Sequence, residues 1–176
     1  MGLEIEKKFT VDPKFKIPKG LEYQEIIQKY LHLDEDSEMR IRIAGSYTTN
    51  DEEKEMKSTV TIKKGRKDIR EETELRISSD LFDRLWDVNS LQAIHKTRYL
   101  IPFNGKTVEL DVFPLNDEMP RVAEIEFKSK EEMENFEFPD WFQEEVQFKN
   151  RDLFMYLNHK LNQSLKDLLY DIKKIV

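Results

Sequence analysis

Cysteine is absent from this chain of 176 residues, and glycine and proline are scarce, with 5 and 6 residues respectively. The lack of cysteine excludes disulfides, thiolate metal ligands and a cysteine nucleophile, and it fits a reducing compartment. No glycine-rich segment of the kind that cradles phosphate in P-loop enzymes is present in the sequence. A P-loop enzyme is therefore excluded.

Long apolar runs and an excess of positive charge are also missing. No stretch approaches the roughly 18 apolar residues that a membrane helix needs, and the N-terminus lacks the apolar segment of a secretory signal. The formal net charge of −7 argues against general nucleic-acid binding, although a local basic surface can still bind a small polyanion. We expect one cytoplasmic domain over residues 1–176, with no membrane and no nucleic-acid partner.

The chain does contain a strand pattern that recurs with one charged side. Side chains of a strand alternate between two faces, so Glu4, Glu6 and Lys8 share one face and Ile5 and Phe9 the other. Further strands are predicted at 25–33, 38–43, 60–63, 70–77, 96–101, 108–112 and 123–128. Residues 45–57 are polar and are interpreted as a loop or ragged hairpin. The Asn104-Gly105 pair predicts a tight β-hairpin.

Short helices are predicted between and after these strands. Ser79 is the expected N-cap of one helix, and Ser129 with Glu132 forms a capping box for another. A C-terminal helical segment is expected from about residue 150. Eight strands are about the number that close into a barrel around one small ligand. We predict an α+β protein: an eight-stranded antiparallel closed β-barrel, or tunnel, with a charged interior and helices outside and at the C-terminus.

The charged strand faces admit two interpretations. The simpler one is a half-buried sheet whose polar face is solvated and carries ordinary cross-strand ion pairs. Doublets of like charge, such as Arg40-x-Arg42 and Glu124-x-Glu126, weaken it because such neighbours repel. Carboxylates suit Mg²⁺ or Mn²⁺, whereas Arg and Lys suit phosphate oxygens. Inward-facing acids beside bases would therefore fit a polyphosphate with bound divalent metal.

The motifs follow one order along the chain that is similar to a known superfamily. They are Glu4-x-Glu6-x-Lys8, Tyr30-Leu31, Arg40-x-Arg42, Thr61-Ile62-Lys63, Arg70 to Glu74, Lys96-Thr97-Arg98-Tyr99, Glu109 to Phe113, Glu124-Ile125-Glu126-Phe127 and Trp141 to Val146. In this order and spacing the sequence resembles the CYTH, or triphosphate tunnel metalloenzyme, superfamily. Its compact single domain resembles the bacterial inorganic triphosphatase branch.

The resemblance implies roles for individual residues of a tunnel that binds a triphosphate and a divalent metal. The implied phosphate ligands are Lys8, Arg40, Arg42, Lys63, Lys96 and Arg98. The implied metal ligands are Glu4, Glu6, Asp111, Glu124 and Glu126, with Glu72, Glu74 and Glu109 in support. The implied catalytic residues are Glu4, Glu6 and Tyr30. A tyrosine with a pKa near 10 is a poor base at neutral pH, so we expect a metal to activate water, assisted by Glu4 or Glu6. Tyr30 could equally be a packed barrel tyrosine with a satisfied hydroxyl.

The expected activity is metal-dependent hydrolysis of inorganic tripolyphosphate to pyrophosphate and phosphate, with Mg²⁺ or Mn²⁺ as cofactor. Three alternatives remain open at this point: a class IV adenylate cyclase that forms cyclic AMP and pyrophosphate, a thiamine triphosphatase, and a non-enzymatic polyphosphate or nucleotide binder. The expected partner is a small triphosphate substrate. Because the family often forms dimers, a homodimer is also possible.

Overall fold

The structure is a computed structural model that describes residues 5–34, 36–65, 71–114, 120–147 and 149–159. Its described strands are β1 Ile5–Val11, β2 Glu22–Leu33, β3 Ser37–Tyr47, β4 Glu53–Lys64, β5 Glu71–Arg76, β6 Ile94–Phe103, β7 Lys106–Val112, β8 Val122–Phe127 and β9 Phe142–Glu145. Two helices are α1 Ser79–Trp86 and α2 Lys130–Glu134. A third, α3, begins at residue 150 and is described to residue 159. The predicted α+β class is confirmed.

All nine described strands belong to one antiparallel sheet with the order β5-β4-β3-β2-β6-β7-β8-β1-β9. The antiparallel pairing is thus confirmed, but the predicted count of eight strands was wrong. Strand β9 was missed because Gln143, Glu144 and Glu145 show no alternation of apolar and polar residues. It pairs only with the end of β1, at Phe9 and Val11. Within the described ranges no ladder joins β5 to β9, so the predicted closure into a barrel is not confirmed.

One local prediction needs correction and two are confirmed. Residues 45–57 form the second of the two predicted alternatives, a ragged hairpin: β3 continues to Tyr47, β4 begins at Glu53, and the register between them shifts at Ser46 and Tyr47. The N-cap of α1 is Ser78 rather than Ser79, since the Ser78 hydroxyl accepts a hydrogen bond from the Leu81 N–H at 3.2 Å. Asn104 and Gly105 form the predicted hairpin turn, with positive φ values of 45° and 74°.

The apolar side of the sheet is covered by α1 and by aromatic side chains from the loops. Phe82 of α1 packs against Ile41 and Val60 in one core cluster. Burying a phenylalanine stabilises the fold by roughly 1.5–3 kcal/mol, which fixes α1 on this side. A second cluster lies under β1, β6, β7 and β8 and includes the fully buried Val108 and Leu110. Among the described helices, none is long and apolar enough to cross a membrane.

The opposite side of the sheet, here called the polar face, carries nearly all of the predicted site residues. Cross-strand partners share a face, so the register assigns them directly. The polar face comprises Glu6, Lys8, Gln24, Gln28, Tyr30, Arg40, Arg42, Thr59, Thr61, Lys63, Glu72, Glu74, Lys96, Arg98, Glu109, Asp111, Glu124 and Glu126. Strands far apart in sequence thereby place their charged residues on one continuous surface.

Candidate active site on the polar face

The bases in the middle of the polar face and Asp111 are shielded from solvent, whereas Glu6, Glu72, Glu74 and Glu126 near its edges are exposed. Lys96 is 1 %, Asp111 6 %, Arg40 7 % and Arg98 9 % exposed. Charged side chains on an open sheet face would remain in water, because burying an ion costs several kcal/mol unless it is compensated. The burial therefore does not fit the simple interpretation of a solvated face. These four side chains are instead packed among other groups of the protein.

Asp111 holds two of the predicted phosphate ligands together. Its carboxylate accepts hydrogen bonds from Arg98 Nε at 2.7 Å and Arg98 Nη2 at 2.9 Å, and from Lys96 Nζ at 2.6 Å. Burial alone would raise the pKa of Asp111, but the charges of Lys96 and Arg98 hold it well below its usual range. Burial lowers the pKa of Lys96 to about 8. Both oxygens of this predicted metal ligand are thus bound to bases.

A pair of carboxyl groups lies beside this network, on β1 and β8. Lys8 Nζ is 3.0 Å from Glu6 Oε1 and 3.5 Å from Glu124 Oε2. Burial, together with the hydrogen bond and charge of Glu124, raises the pKa of Glu6 to about 7. Burial opposes ionisation of Glu124 as well, but its bond with Glu6 and the charges of Lys8 and Arg98 lower its pKa. Glu6 therefore holds its proton to a higher pH than an ordinary glutamate, next to an ionised Glu124.

More carboxylates surround this pair. Glu126 is the cross-strand partner of Glu6, and Glu109 is that of Glu124, so like charges face each other in the sheet. Glu109 also bonds to Arg98 Nη1. A cavity of about 190 Å³ is lined by Thr107, Glu109, Glu124 and Glu126, together with Lys106. This end of the polar face is acidic and partly open.

The acids of the described residues do not form a complete metal-binding site. In the part of the chain that the structure describes, no group of three or more His, Asp or Glu side chains could hold a metal ion. Glu4, predicted as both a metal ligand and a catalytic residue, lies outside the described residues, and so does Arg70. The described donors that suit a hard cation are carboxylate oxygens from β1 and β8.

The second half of the polar face lies on β2, β3 and β4 and is basic. Within the described residues, its arginines are not paired directly with carboxylates in the way that Arg98 is. Arg42 donates from Nε and Nη2 to Gln28 Oε1 at 3.2 and 3.1 Å, and Arg40 donates to Thr61 Oγ1 at 3.3 Å. Neither arginine forms an ion pair within 4.0 Å with any acid of the described ranges. Burial and the charges of Arg40 and Arg98 lower the pKa of Arg42 to about 10, so it remains a cation at neutral pH.

The other predicted residues on β4 and β5 form their own contacts. Lys63 pairs with Glu72, and both side chains are partly exposed. Glu74 Oε2 accepts from Thr61 Oγ1 at 3.3 Å, and Glu74 Oε1 lies 3.2 Å from Lys57 Nζ. Thr61 thus connects Glu74 to Arg40, and the acids on β5 lie beside the bases rather than beside Glu6.

Tyr30 is buried at the end of the polar face that α3 covers. Its residue is only 3 % exposed, and its ring centroid lies 5.0 Å from that of Phe154. Burial raises the pKa of Tyr30 to about 12. Formation of the tyrosinate at neutral pH is therefore even less favourable than for an ordinary tyrosine. This environment favours the interpretation of Tyr30 as a packed tyrosine over that of a general base.

Helix α3 closes one end of the site with apolar contacts and reaches the charged network with its first residues. Leu153 and Phe154 pack with Ile94, Phe113 and Val122. Asn150 Oδ1 lies 3.4 Å from Lys96 Nζ. The first turn also carries Arg151, which donates to the Asp34 carbonyl at 3.0 Å and lies 4.0 Å from Glu38. We conclude that α3 seals the apolar end, opposite the acidic opening.

Sequence reasoning missed the polar, uncharged residues of the site. Gln28, Thr59 and Thr61 are each at most 3 % exposed and lie among the predicted bases. The sequence could have indicated Gln28, because it precedes Tyr30 by two residues and a strand places such residues on the same face. Asn150, in the first turn of α3, was missed as well: its Oδ1 accepts from Lys96 Nζ at 3.4 Å.

The fold and the site together define a class of protein: an α+β protein whose antiparallel sheet carries bases and acids on one face. No family model matches the chain. The chain is 33 % identical over 158 residues to the inorganic triphosphatase of Nitrosomonas europaea. The aligned region covers 85 % of this chain and 95 % of that protein. The chain is 32 % identical over 167 residues to the inorganic triphosphatase of Acetivibrio thermocellus, with 92 % and 94 % covered.

A solved structure agrees with these relatives. The crystal structure of the inorganic triphosphatase NE1496 matches with a TM-score of 0.57 and 30 % identity, covering 86 % of this chain and 91 % of that one. The chain belongs to the inorganic triphosphatase family, within the CYTH or triphosphate tunnel superfamily that its motifs resemble.

Proposed function

We propose that this protein hydrolyses inorganic tripolyphosphate to pyrophosphate and phosphate with the help of Mg²⁺ or Mn²⁺. The observation that carries the proposal is the division of one charged face into two halves. Arg40 and Arg42 have no carboxylate within 4.0 Å in the described chain, whereas Glu6 and Glu124 are crowded carboxyl groups whose interaction raises the pKa of Glu6. The relatives named inorganic triphosphatase support the same reaction.

The basic half suits the phosphate chain. Arginine offers several donors in one plane and matches the oxygens of a phosphate group. We assign Arg40 and Arg42 to phosphate binding because their charges are not already matched. Lys8, Lys63, Lys96 and Arg98 would contribute by exchanging part of their contacts with acids for contacts with phosphate oxygens. A short linear polyanion needs no base or sugar pocket.

The acidic half fits a hard divalent cation. A carboxyl group whose pKa is raised beside another carboxylate can release its proton and bind a cation instead, which relieves the repulsion of the pair. Glu6, Glu124 and Glu126 would hold the metal together with Glu4, and Glu109 would support them. Glu72 and Glu74 would support the bases on β4. A bound divalent cation neutralises phosphate oxygens and lowers the pKa of bound water.

The protein's own groups would then complete the reaction environment. Lys8 keeps the carboxylates of Glu6 and Glu124 together by contacting both. We assign Asp111 to holding Lys96 and Arg98 in place rather than to metal binding, because its oxygens already accept from both bases. A carboxylate such as Glu6 or Glu4 would accept the proton of the attacking water. Tyr30 would shape the wall of the site and would not act as the base.

Several finer predictions also remain proposals. We propose that the sheet encloses the substrate as a tunnel, that residues 1–176 act as one domain, and that the protein works in the cytoplasm. A homodimer is compatible with this arrangement. The proposal involves no nucleic acid and no membrane.

The test is phosphate release from tripolyphosphate, ATP and thiamine triphosphate, each measured with Mg²⁺, with Mn²⁺ and with EDTA. We expect fast release from tripolyphosphate with either metal and none with EDTA. Formation of cyclic AMP and pyrophosphate from ATP would instead identify a cyclase, and preference for thiamine triphosphate would identify that triphosphatase. Tight binding of tripolyphosphate without turnover of any substrate would contradict the enzymatic proposal.

A further inference from the structure

Gln28 is a buried polar residue to which the chemistry described above assigns no role. It lies near the middle of β2 on the polar face and is 0 % exposed. Its cross-strand neighbours are Arg42 on β3 and Ile94 on β6. A primary amide in such a place needs a physical reason, because burying an amide without its hydrogen bonds costs free energy.

The Gln28 carbonyl oxygen binds one edge of the Arg42 guanidinium. Oε1 accepts from Nε at 3.2 Å and from Nη2 at 3.1 Å, and Nη1 takes no part in these bonds. Two bonds along one edge fix the plane of a guanidinium group. The remaining donors of Arg42 are thereby held in one orientation.

Arg98 provides a comparison on the same face. Asp111 binds the same two nitrogens, Nε at 2.7 Å and Nη2 at 2.9 Å, but it does so with a carboxylate. A carboxylate neutralises the arginine that it orients, whereas an amide orients it and leaves its charge intact. Arg98 is therefore paired directly with an anion, whereas Arg42 is an oriented cation that feels the charges of Glu74 and Asp111 but has no carboxylate within 4.0 Å in the described chain.

Unused donors lie close to this pair. Among the described residues, the buried side-chain nitrogens Gln28 Nε2 and Arg40 Nε have no hydrogen-bond partner. Both belong to the polar face, on the adjacent strands β2 and β3. Buried donors without a partner are rare and call for an explanation, and the oxygens of an anionic ligand would satisfy them.

We propose that Gln28 is a positioning residue that presents Arg42, without neutralising it, to a phosphate group of tripolyphosphate. This inference rests on the proposed function. It assigns to a neutral amide the task of keeping a local excess of positive charge on β2 and β3. The substrate then supplies the anion that Asp111 supplies to Arg98.

The discriminating variant is Gln28→Glu, which keeps the size and an acceptor oxygen but adds a negative charge. Arg42 stays oriented and becomes neutralised, so we expect binding of tripolyphosphate to weaken about 10-fold or more. Gln28→Met keeps the volume and removes the acceptor, so it should weaken binding less, by a few-fold. The control is Gln143→Glu, the same substitution at an exposed glutamine of the edge strand β9 that is not among the polar-face residues.

The measurement is calorimetric titration of each protein with tripolyphosphate in EDTA, followed by KM and kcat with Mg²⁺. We expect Gln28→Glu to raise Kd and KM more than it lowers kcat, and Gln143→Glu to change them little. In an Arg42→Gln background, Gln28→Glu should lose most of its effect on Kd. Urea unfolding of each variant confirms that the fold is retained.

Three results would overturn the inference. They are an unchanged Kd in Gln28→Glu, an equal loss of affinity in Gln143→Glu, or the same loss of affinity with and without Arg42. A merely packed Gln28 would change the stability of these variants and leave Kd unaltered. The proposed function fails separately, if the wild-type protein binds tripolyphosphate but does not hydrolyse it.

Discussion

Replacing Asp111 by asparagine removes the single negative charge that lies between Lys96 and Arg98. In the wild-type protein this carboxylate accepts three hydrogen bonds of 2.6 to 2.9 Å and is 6 % exposed. Removing one partner of a buried ion pair typically destabilises a protein by about 3–5 kcal/mol. For a chain of this size the same loss lowers the melting temperature by roughly 10 °C.

The pH dependence of this prediction follows from the pKa of Asp111. Lys96 and Arg98 hold that pKa well below its usual range, despite burial. A group with a depressed folded-state pKa contributes stability above its unfolded pKa of about 4, and this contribution fades as the pH falls towards the folded value. The stability difference between wild type and Asp111→Asn should therefore be full at neutral pH and shrink below about pH 4.

Urea unfolding across this pH range is the assay, with Asp80→Asn as the matched control. Asp80 pairs with Arg84 at 3.2 Å, but both side chains are 76 % exposed. An exposed pair of this kind contributes less than about 1 kcal/mol. Equal stability of the two variants at neutral pH would refute the reasoning, since it would mean that the Asp111 network contributes no more than a surface pair.

Two further predictions concern Tyr30 and the start of α1. Tyr30→Phe should keep kcat within a few-fold of wild type, because a tyrosine with a pKa of about 12 is not the base. A loss of 100-fold or more in phosphate release, with the fold intact, would contradict this. Ser78→Ala should cost about 1 kcal/mol in thermal unfolding and Ser79→Ala much less, because Ser78 caps the helix. The reverse order would show that the cap is misassigned.

Local alternation was enough to predict which side of each strand is charged. Lys8 and Glu124 were assigned to charged faces from their own strands alone, and the register makes them direct cross-strand partners. The number of strands was harder to predict from the sequence. Among the described strands, β9 is short and polar and pairs only with the end of β1. Closure of the sheet depends on contacts between distant edges, which no local pattern encodes.

The charges in the sequence also did not indicate which basic residues already have a carboxylate partner in the fold. The sequence presents Arg42 and Arg98 alike, each as the second member of a basic doublet. Their difference arises from the neighbours that the fold brings to them: Gln28 for Arg42 and Asp111 for Arg98. Such pairings depend on the register of the sheet, so they emerge only once the strands are aligned.

The central claim is that the polar face is the active site for tripolyphosphate. The most direct measurement is metal-dependent phosphate release by wild type and Glu6→Gln, with tripolyphosphate binding measured for both. We expect Glu6→Gln to lose at least about 100-fold in rate while it still binds tripolyphosphate, because Arg40 and Arg42 are untouched. Release at the wild-type rate by Glu6→Gln would contradict the placement of the active site on this face.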